Sequence, residues 1–217
     1  MYNFNKKKMK KINFKSFLYI ALAAGMAAGC ADEPELPNYG TFVFQERFEQ
    51  GTDNVIIGTE EEAPYTGWTN FAESGSAKWK IQKFNGNGYA EYSSFQTTGP
   101  ISIGWLISPA IVLEEFNTNT LRFAVSQSFV SDEANKFEVF VSTDYDGTNV
   151  TAATWTEVDV NAPGPDADFF AFQDAGTIDL SPFSGNVHIA FKVTGTDTAT
   201  DDQLDGSYQI DNFTILN

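Results

Sequence analysis

The feature that most limits what this chain can fold into is a period of two. TLRFAVSQSF sets Leu121, Phe123 and Val125 on one side and Arg122, Ala124 and Ser126 on the other. KFEVFVST groups Phe137, Val139 and Val141, and NVHIAFKVTG groups Val187, Ile189, Phe191 and Val193. Successive side chains leave a strand on opposite faces, so this alternation marks half-buried antiparallel strands. Clusters of Gly, Asn, Asp, Ser and Thr separate the runs, and nothing from Thr41 onward reads as a long amphipathic helix. About ten to twelve candidate strands follow from this pattern, too many for one open sheet of this length. Two packed sheets solve the problem. The expectation is an all-β fold, a two-sheet, jelly-roll-like antiparallel β-sandwich over residues 41–217. The one cysteine leaves no intrachain disulfide. A domain of this length buries roughly 70% of its unfolded surface, so its core alone can hold it.

The N-terminus has a different composition. Residues 1–29 hold six lysines and no acid, and an apolar run covers Phe17 to Gly29. Spanning a bilayer takes about 20 apolar residues, more than this run offers. A basic stretch, a short apolar core and small residues before a break describe a secretory signal. The break falls at A-A-G-C, which resembles the lipobox of bacterial lipoproteins, with Ala27 where a larger aliphatic residue is usual. The resemblance implies cleavage before Cys30 and lipidation of its thiol, with residues 30–40 as a polar tether. Several acyl chains anchor stably where one holds poorly. ADEPE after Cys30 resembles the acidic export signal of surface-exposed lipoproteins in some Gram-negative bacteria, although a solvated tether has the same composition. The expected location is therefore the outer membrane, facing outward.

Charge narrows the function classes. The chain carries 13 basic and 29 acidic residues, and loss of the first 29 residues would leave seven basic ones. Nucleic-acid binding needs clustered Lys and Arg, so it is excluded as a partner class. Contact with a membrane is expected through the lipid anchor only.

Several stretches occur in a recognisable order: QERFEQG, APYTGWTNF, GWLISPAIVL, VFVSTDYDGT, GTIDLSPFSGNVHIAFKVTG and YQIDNFTI. Together they resemble the choice-of-anchor J domain, a relative of cleaved-adhesin and MAM-type jelly rolls, from about Phe42 to Leu216. The resemblance implies a secreted or surface-anchored β-sandwich, noncatalytic, linked to adhesion or glycan binding. It gives the fold more firmly than the role.

In SYQIDNFTIL, Tyr208 and Ile210 share one phase while Phe213 and Ile215 share the other. One extra residue at Asp211–Asn212, a β-bulge, would restore a single apolar face. The expectation is that Asp211 turns to meet a structural Ca²⁺ ion, with Glu49 as its partner and Glu46 as a third ligand. Ca²⁺ takes six to eight hard oxygen ligands. Jelly rolls of this type run first and last strands side by side and commonly hold calcium there, so the resemblance points the same way. The alternative is a local turn at Asp211–Asn212 with Glu49 in solvent. TDYDGT looks like a calcium loop but lacks the later acidic ligands, and a hairpin turn closed by Asp-Gly explains it better.

Enzymatic readings find little support. His188 is the only histidine, no G-x-S-x-G elbow occurs, and zinc would lack ligands. A glycosidase carboxylate pair is the one reading that the acids allow. Sugar binding would use exposed aromatic faces. Trp155, Tyr65, Tyr145, Phe169 and Phe170 are the candidates, the last four because they fall in expected loops. Trp68 and Trp105 lie in the family-like stretches and are assigned to the core. Two partner classes stay open: an extracellular carbohydrate or glycoconjugate, or another surface protein.

Overall fold

A computed structural model describes residues 41–58, 63–95, 97, 101–115, 117–195 and 205–217 of the protein. The signal, the tether and Cys30 lie outside the described residues, as do residues 196–204 with three aspartates. The described residues belong to one unit, Gly40–Asn217.

Fourteen strands are present among them, numbered in chain order. The first half comprises β1 (Phe42–Glu46), β2 (Val55–Ile56), β3 (Thr69–Ser74), β4 (Lys80–Phe84), β5 (Asn87–Ser93), β6 (Ser102–Ile107) and β7 (Ile111–Leu113). The second comprises β8 (Thr120–Ser128), β9 (Lys136–Ser142), β10 (Thr156–Val158), β11 (Gln173–Asp174), β12 (Ile178–Asp179), β13 (Gly185–Gly195) and β14 (Ser207–Leu216). The surplus over ten to twelve is three two-residue pairings, β2, β11 and β12, too short to carry a pattern.

Every pairing is antiparallel, and the strands form two sheets. The first has the order β11-β8-β14-β5-β4-β2, with β1 also paired to β14 and β12 to β8. The second has the order β10-β9-β13-β6-β3, with β7 also paired to β13. The protein is thus an all-β sandwich. Its core is the set that the alternation picks out: Leu121, Phe123 and Val125 face Val139, Ile189 and Phe191 across the interior. Phe191 lies edge-on to both Phe123 and Phe213, with ring centroids 5.2 and 5.5 Å apart. Each such fully buried side chain contributes about 1.5–3 kcal/mol.

The two outward faces differ. The second sheet is covered on its outer side as well, where Trp105, Ile107, Tyr145, Val150 and Ala190 form a separate apolar cluster under the β9–β10 connection. The first sheet turns a polar face outward. Glu91 and Ser93 of β5, Ser207 and Gln209 of β14, and Ser126 and Ser128 of β8 stand in register there. A site for a polar ligand therefore has one broad face available.

Candidate functional site

The outward face of the first sheet is partly roofed by the segment 161–172. Its long run of turn residues disfavours a strand, and two bonds tie it down. Gln127 donates from Nε2 to the Ala167 carbonyl at 2.6 Å, and Phe170 N–H donates to the Gln127 carbonyl at 2.8 Å. Phe172 packs edge-on against Tyr89 of β5, with centroids 5.7 Å apart. Under this roof Gln209 is fully buried although it lies on the outward face. Its Nε2 donates to Glu91 Oε2 at 2.9 Å and to Ser128 Oγ at 3.0 Å, and its Oε1 accepts from Ser126 at 2.8 Å. Burial pushes the Glu91 carboxyl above the usual carboxylate range, against the pull of the Gln209 bond and of Lys80.

Where the roof ends, a cavity of about 840 Å³ opens onto this network. Its walls are aromatic: Phe95, Phe129, Phe169 and Phe170. All four are exposed large apolar side chains, from 46% for Phe170 to 61% for Phe95 and Phe129. Phe129 and Phe169 lie against each other at 4.8 Å. The floor is polar and comes from Glu91, Ser93, Ser128 and Ser207. A second cavity of about 370 Å³ shares Glu91, Ser93 and Phe95 and extends over β4 past Lys78 and Lys80. The two make a continuous groove across the strands.

Phe129 and Phe170 both have left-handed backbones, with φ of 59° and 58°. A bulky side chain at positive φ is an outlier that costs on the order of 1–3 kcal/mol. It persists only where surrounding contacts impose it, and such strain clusters at ligand sites. Of the three phenylalanines at positive φ, these two line the same cavity, while Phe48, at 55°, is buried against Tyr65 and Trp68.

Five aromatics were expected to meet a ligand, and the structure divides them. Phe169 and Phe170 sit side by side in the groove wall. Tyr65 and Tyr145 do not stand in open loops, and this corrects the expectation. Tyr65 is 0% exposed; its ring packs on Phe48 and its hydroxyl donates to the Gln50 carbonyl. Tyr145 is 6% exposed, lies edge-on to His188 at 5.0 Å and donates to Thr69 Oγ1 at 3.1 Å. Trp155 is half-buried on the far sheet, its ring against Trp105 and Tyr145 and its Nε1–H on the Val150 carbonyl. It is remote from the groove face. Phe95 and Phe129 were missed. Each follows a strand that ends in serine, and nothing local distinguishes them from end caps of the sandwich.

The carboxylate group expected near the last strand is assembled in part. The register of β14 on β8 shifts between Asp211 and Thr214, and Asn212 takes φ 53°, so the bulge is present. β1 pairs with β14, with Glu46 opposite Phe213. Burial raises the Asp211 carboxyl against hydrogen bonds from Asn212 and Asn87, and the Glu49 charge raises it further. Burial likewise raises Glu46 against the Phe48 and Arg47 amides, and the Asp211 charge adds to this. The donors are hard oxygens, the type Ca²⁺ prefers. However, part of this set is already engaged. Glu46 Oε1 accepts the Arg47 and Phe48 amides, Glu49 Oε2 accepts Gly88 N–H, and Asp211 accepts from Asn212 and Asn87. Among the described residues no group of three or more His, Cys, Asp or Glu side chains is disposed to hold a metal ion. In this arrangement the three acids act as hydrogen-bond acceptors that pin the bulge and the turn after β1.

TDYDGT is a self-satisfied turn within the long β9–β10 connection, not a tight hairpin. Asp146 Oδ1 accepts the Thr148 and Asn149 amides, which hold its carboxyl well below the usual range. His188 places Nδ1 2.8 Å from the Ser108 carbonyl and is 9% exposed, a structural histidine.

One of the solved structures compared shares this fold, and others are similar to it. The K2 cleaved adhesin domain of Lys-gingipain is similar at 14% identity, over 80% of this chain and 99% of that one, with a TM-score of 0.52. The K1 cleaved adhesin domain of Lys-gingipain from Porphyromonas gingivalis W83 is similar at 20% identity, over 81% and 98%, with a TM-score of 0.47. The CBM22-1 xylan-binding domain from Paenibacillus barcinonensis Xyn10C is similar at 14% identity, over 82% and 94%, with a TM-score of 0.44. At these identities the likeness is one of fold. No protein-family model matches the sequence, and no curated protein does.

Proposed function

We propose that this protein is a noncatalytic β-sandwich that binds extracellular carbohydrate in the groove across its first sheet, as a choice-of-anchor J-like lipoprotein on the cell surface. One observation carries the binding reading: four exposed phenylalanines wall a cavity whose floor is a registered set of hydroxyls and a carboxylate that a buried amide holds from beneath. Apolar ring faces stack on the C–H faces of sugars, and fixed polar groups read the hydroxyls. Such a mix of mostly apolar wall and few convergent polar groups is how small-ligand sites are built. A glycan array followed by calorimetry tests it. Binding that is lost in Phe169→Ala supports sugar recognition. Silence on the array together with specific capture of an outer-membrane protein would favour the adhesive alternative. Release of reducing ends from a polysaccharide would overturn the noncatalytic reading.

The anchor has its own test. Cys30→Ala is expected to keep the fold and lose the membrane fraction, and a variant that stays membrane-bound would sink the lipoprotein reading. Ca²⁺ at Glu46, Glu49 and Asp211 is likewise proposed, as a structural ion that would relieve the mutual repulsion of these acids. It requires Glu49, which is exposed, to turn its free oxygen toward Asp211. The melting temperature in excess Ca²⁺ is then higher than in EDTA, and an unchanged value rules the ion out.

A further inference from the structure

The groove has an uneven charge, and this bears on which sugar it takes. Three carboxylates line the aromatic cavity: Glu91 on the floor, Asp166 from the roof segment and Asp205 just before β14. No Lys or Arg lines it among the described residues. The nearest cations, Lys78 and Lys80, belong to the adjoining cavity beyond Glu91. Lys80 stands directly opposite Glu91 across the β4–β5 pairing and donates to Asn54 Oδ1 at 3.1 Å. Lys78 donates to the Asn70 carbonyl at 2.8 Å. Neither lines the aromatic end, where Asp166 and Asp205 lie.

Resting on the carbohydrate reading above, we infer that the aromatic cavity selects sugar rings by charge, favouring rings that carry a free ammonium group and rejecting rings that carry a carboxylate or sulfate. Two physical effects act in the same direction. Phenylalanine faces carry negative potential and attract an ammonium placed over them. Asp166 and Asp205 add Coulombic attraction for the same group, an attraction that salt screens because Asp166 is exposed. An anionic ring meets both effects with the sign reversed. A neutral ring gains only stacking and hydroxyl contacts. The field is local to this cavity, so only the ring seated between Phe129 and Phe170 is selected. Neighbouring rings along the groove pass over the Glu91–Lys80 pair, where the charges balance.

The test is calorimetry at pH 6 on the intact protein with four oligosaccharides of equal length. These are a glucosamine oligomer, its N-acetylated counterpart, a neutral glucan and a galacturonate oligomer. The glucosamine oligomer is expected to bind about 3- to 30-fold more tightly than the acetylated and neutral ones. The galacturonate oligomer should bind more weakly than both. Raising NaCl from 0.05 to 0.5 M should shrink the glucosamine advantage, and Asp166→Asn should shrink it without added salt. Phe129→Gly should weaken all four. Galacturonate binding equal to or tighter than glucosamine binding would overturn the charge selection and leave the carbohydrate reading intact. So would an acetylated oligomer that binds as well as the free amine. If none of the four binds, and none binds on the wider array, the carbohydrate reading falls and this inference with it. Binding untouched by Phe129→Gly would place the sugar elsewhere and overturn both assignments to this cavity.

Discussion

Phe129 joins backbone strain and the proposed binding site in one residue. Its backbone at φ 59° favours glycine, while its ring forms a wall of the groove. A side chain kept there for stability would be a poor choice, because the ring is 61% exposed and buries little. Phe129→Gly separates the two roles. Glycine adopts positive φ freely, although it gives more entropy to the unfolded chain. The melting temperature is therefore expected to stay within a few degrees of the parent or rise, while ligand affinity falls at least tenfold. A large drop in melting temperature would show that the ring holds the roof segment in place. Gln127 is the opposite case. It is fully buried, and its side chain serves both the Ala167 carbonyl and the Val130 amide. Its loss would disturb the roof and the strand end together, so it reports poorly on binding.

β14 shows how far a strand's sequence discloses its structure. The phase change between Ile210 and Phe213 makes a bulge the simplest solution, and the bulge is present with Asn212 as its left-handed residue. Asn tolerates that conformation better than other non-glycine residues, and a β-branched side chain does not. Asn212→Val is expected to destabilise the fold by about 1–2 kcal/mol, and Asn212→Gly to be nearly neutral. Urea denaturation of the two variants checks this, and equal midpoints would contradict it. The same element shows what was hidden. Gln209 reads as a solvent-facing residue because the strand's outward phase is polar. Its complete burial depends on the segment 161–172, which is distant in sequence and reaches it only through tertiary contacts. Tyr65 and Tyr145 were misplaced for the same reason. Their burying partners, Phe48 for one and Thr69 and His188 for the other, come from strands and turns far along the chain. Alternation reports which face a residue takes, and it cannot report what later covers that face. Phe169 and Phe170 were legible because a hydrophobic pair inside a run of turn residues lacks a strand to serve.

At the scale of the whole molecule, the two sheets approach closely enough that one glycine sets their spacing. A Cβ at Gly104 of β6 would lie 1.9 Å from the ring of Tyr92 on the opposite sheet. Tyr92 is fully buried, packs on Trp79 and shares a 2.7 Å hydrogen bond with Ser102, so its ring has nowhere to go. Gly104→Ala is expected to cost about 1–3 kcal/mol by overpacking. Thermal unfolding measures it, and an unchanged midpoint would mean that the sheets slide past each other easily. The charge distribution gives a second prediction. Burial raises the Glu46, Glu91 and Asp211 carboxyls, so each binds its proton more tightly folded than unfolded. Their favourable contribution is full below the unfolded value, about 4, and is lost as pH rises through the folded one. Hydrogen bonds lower Asp144, Asp174 and Asp179, whose contribution is present above about 4 and is lost as pH falls through the folded value. The melting temperature should therefore rise as pH falls from 8 toward about 5 and drop again below about 4. A steady rise from pH 4 to 8 would show that the buried acids are better compensated than their surroundings suggest.

The last strand also sets the direction in which the protein presents its groove. Ser207, at the start of β14, lines the aromatic cavity, whereas Leu216, at its end, pairs with Phe42, the first residue of β1. Ten residues of strand separate these poles, roughly 30 Å at about 3.3 Å per residue. The chain therefore comes into the sandwich at one pole and offers its phenylalanines at the other. Asn217 N–H donates to the Thr41 carbonyl at 3.1 Å, so an attachment made at Asn217 falls at the pole away from the phenylalanines and should leave the groove clear.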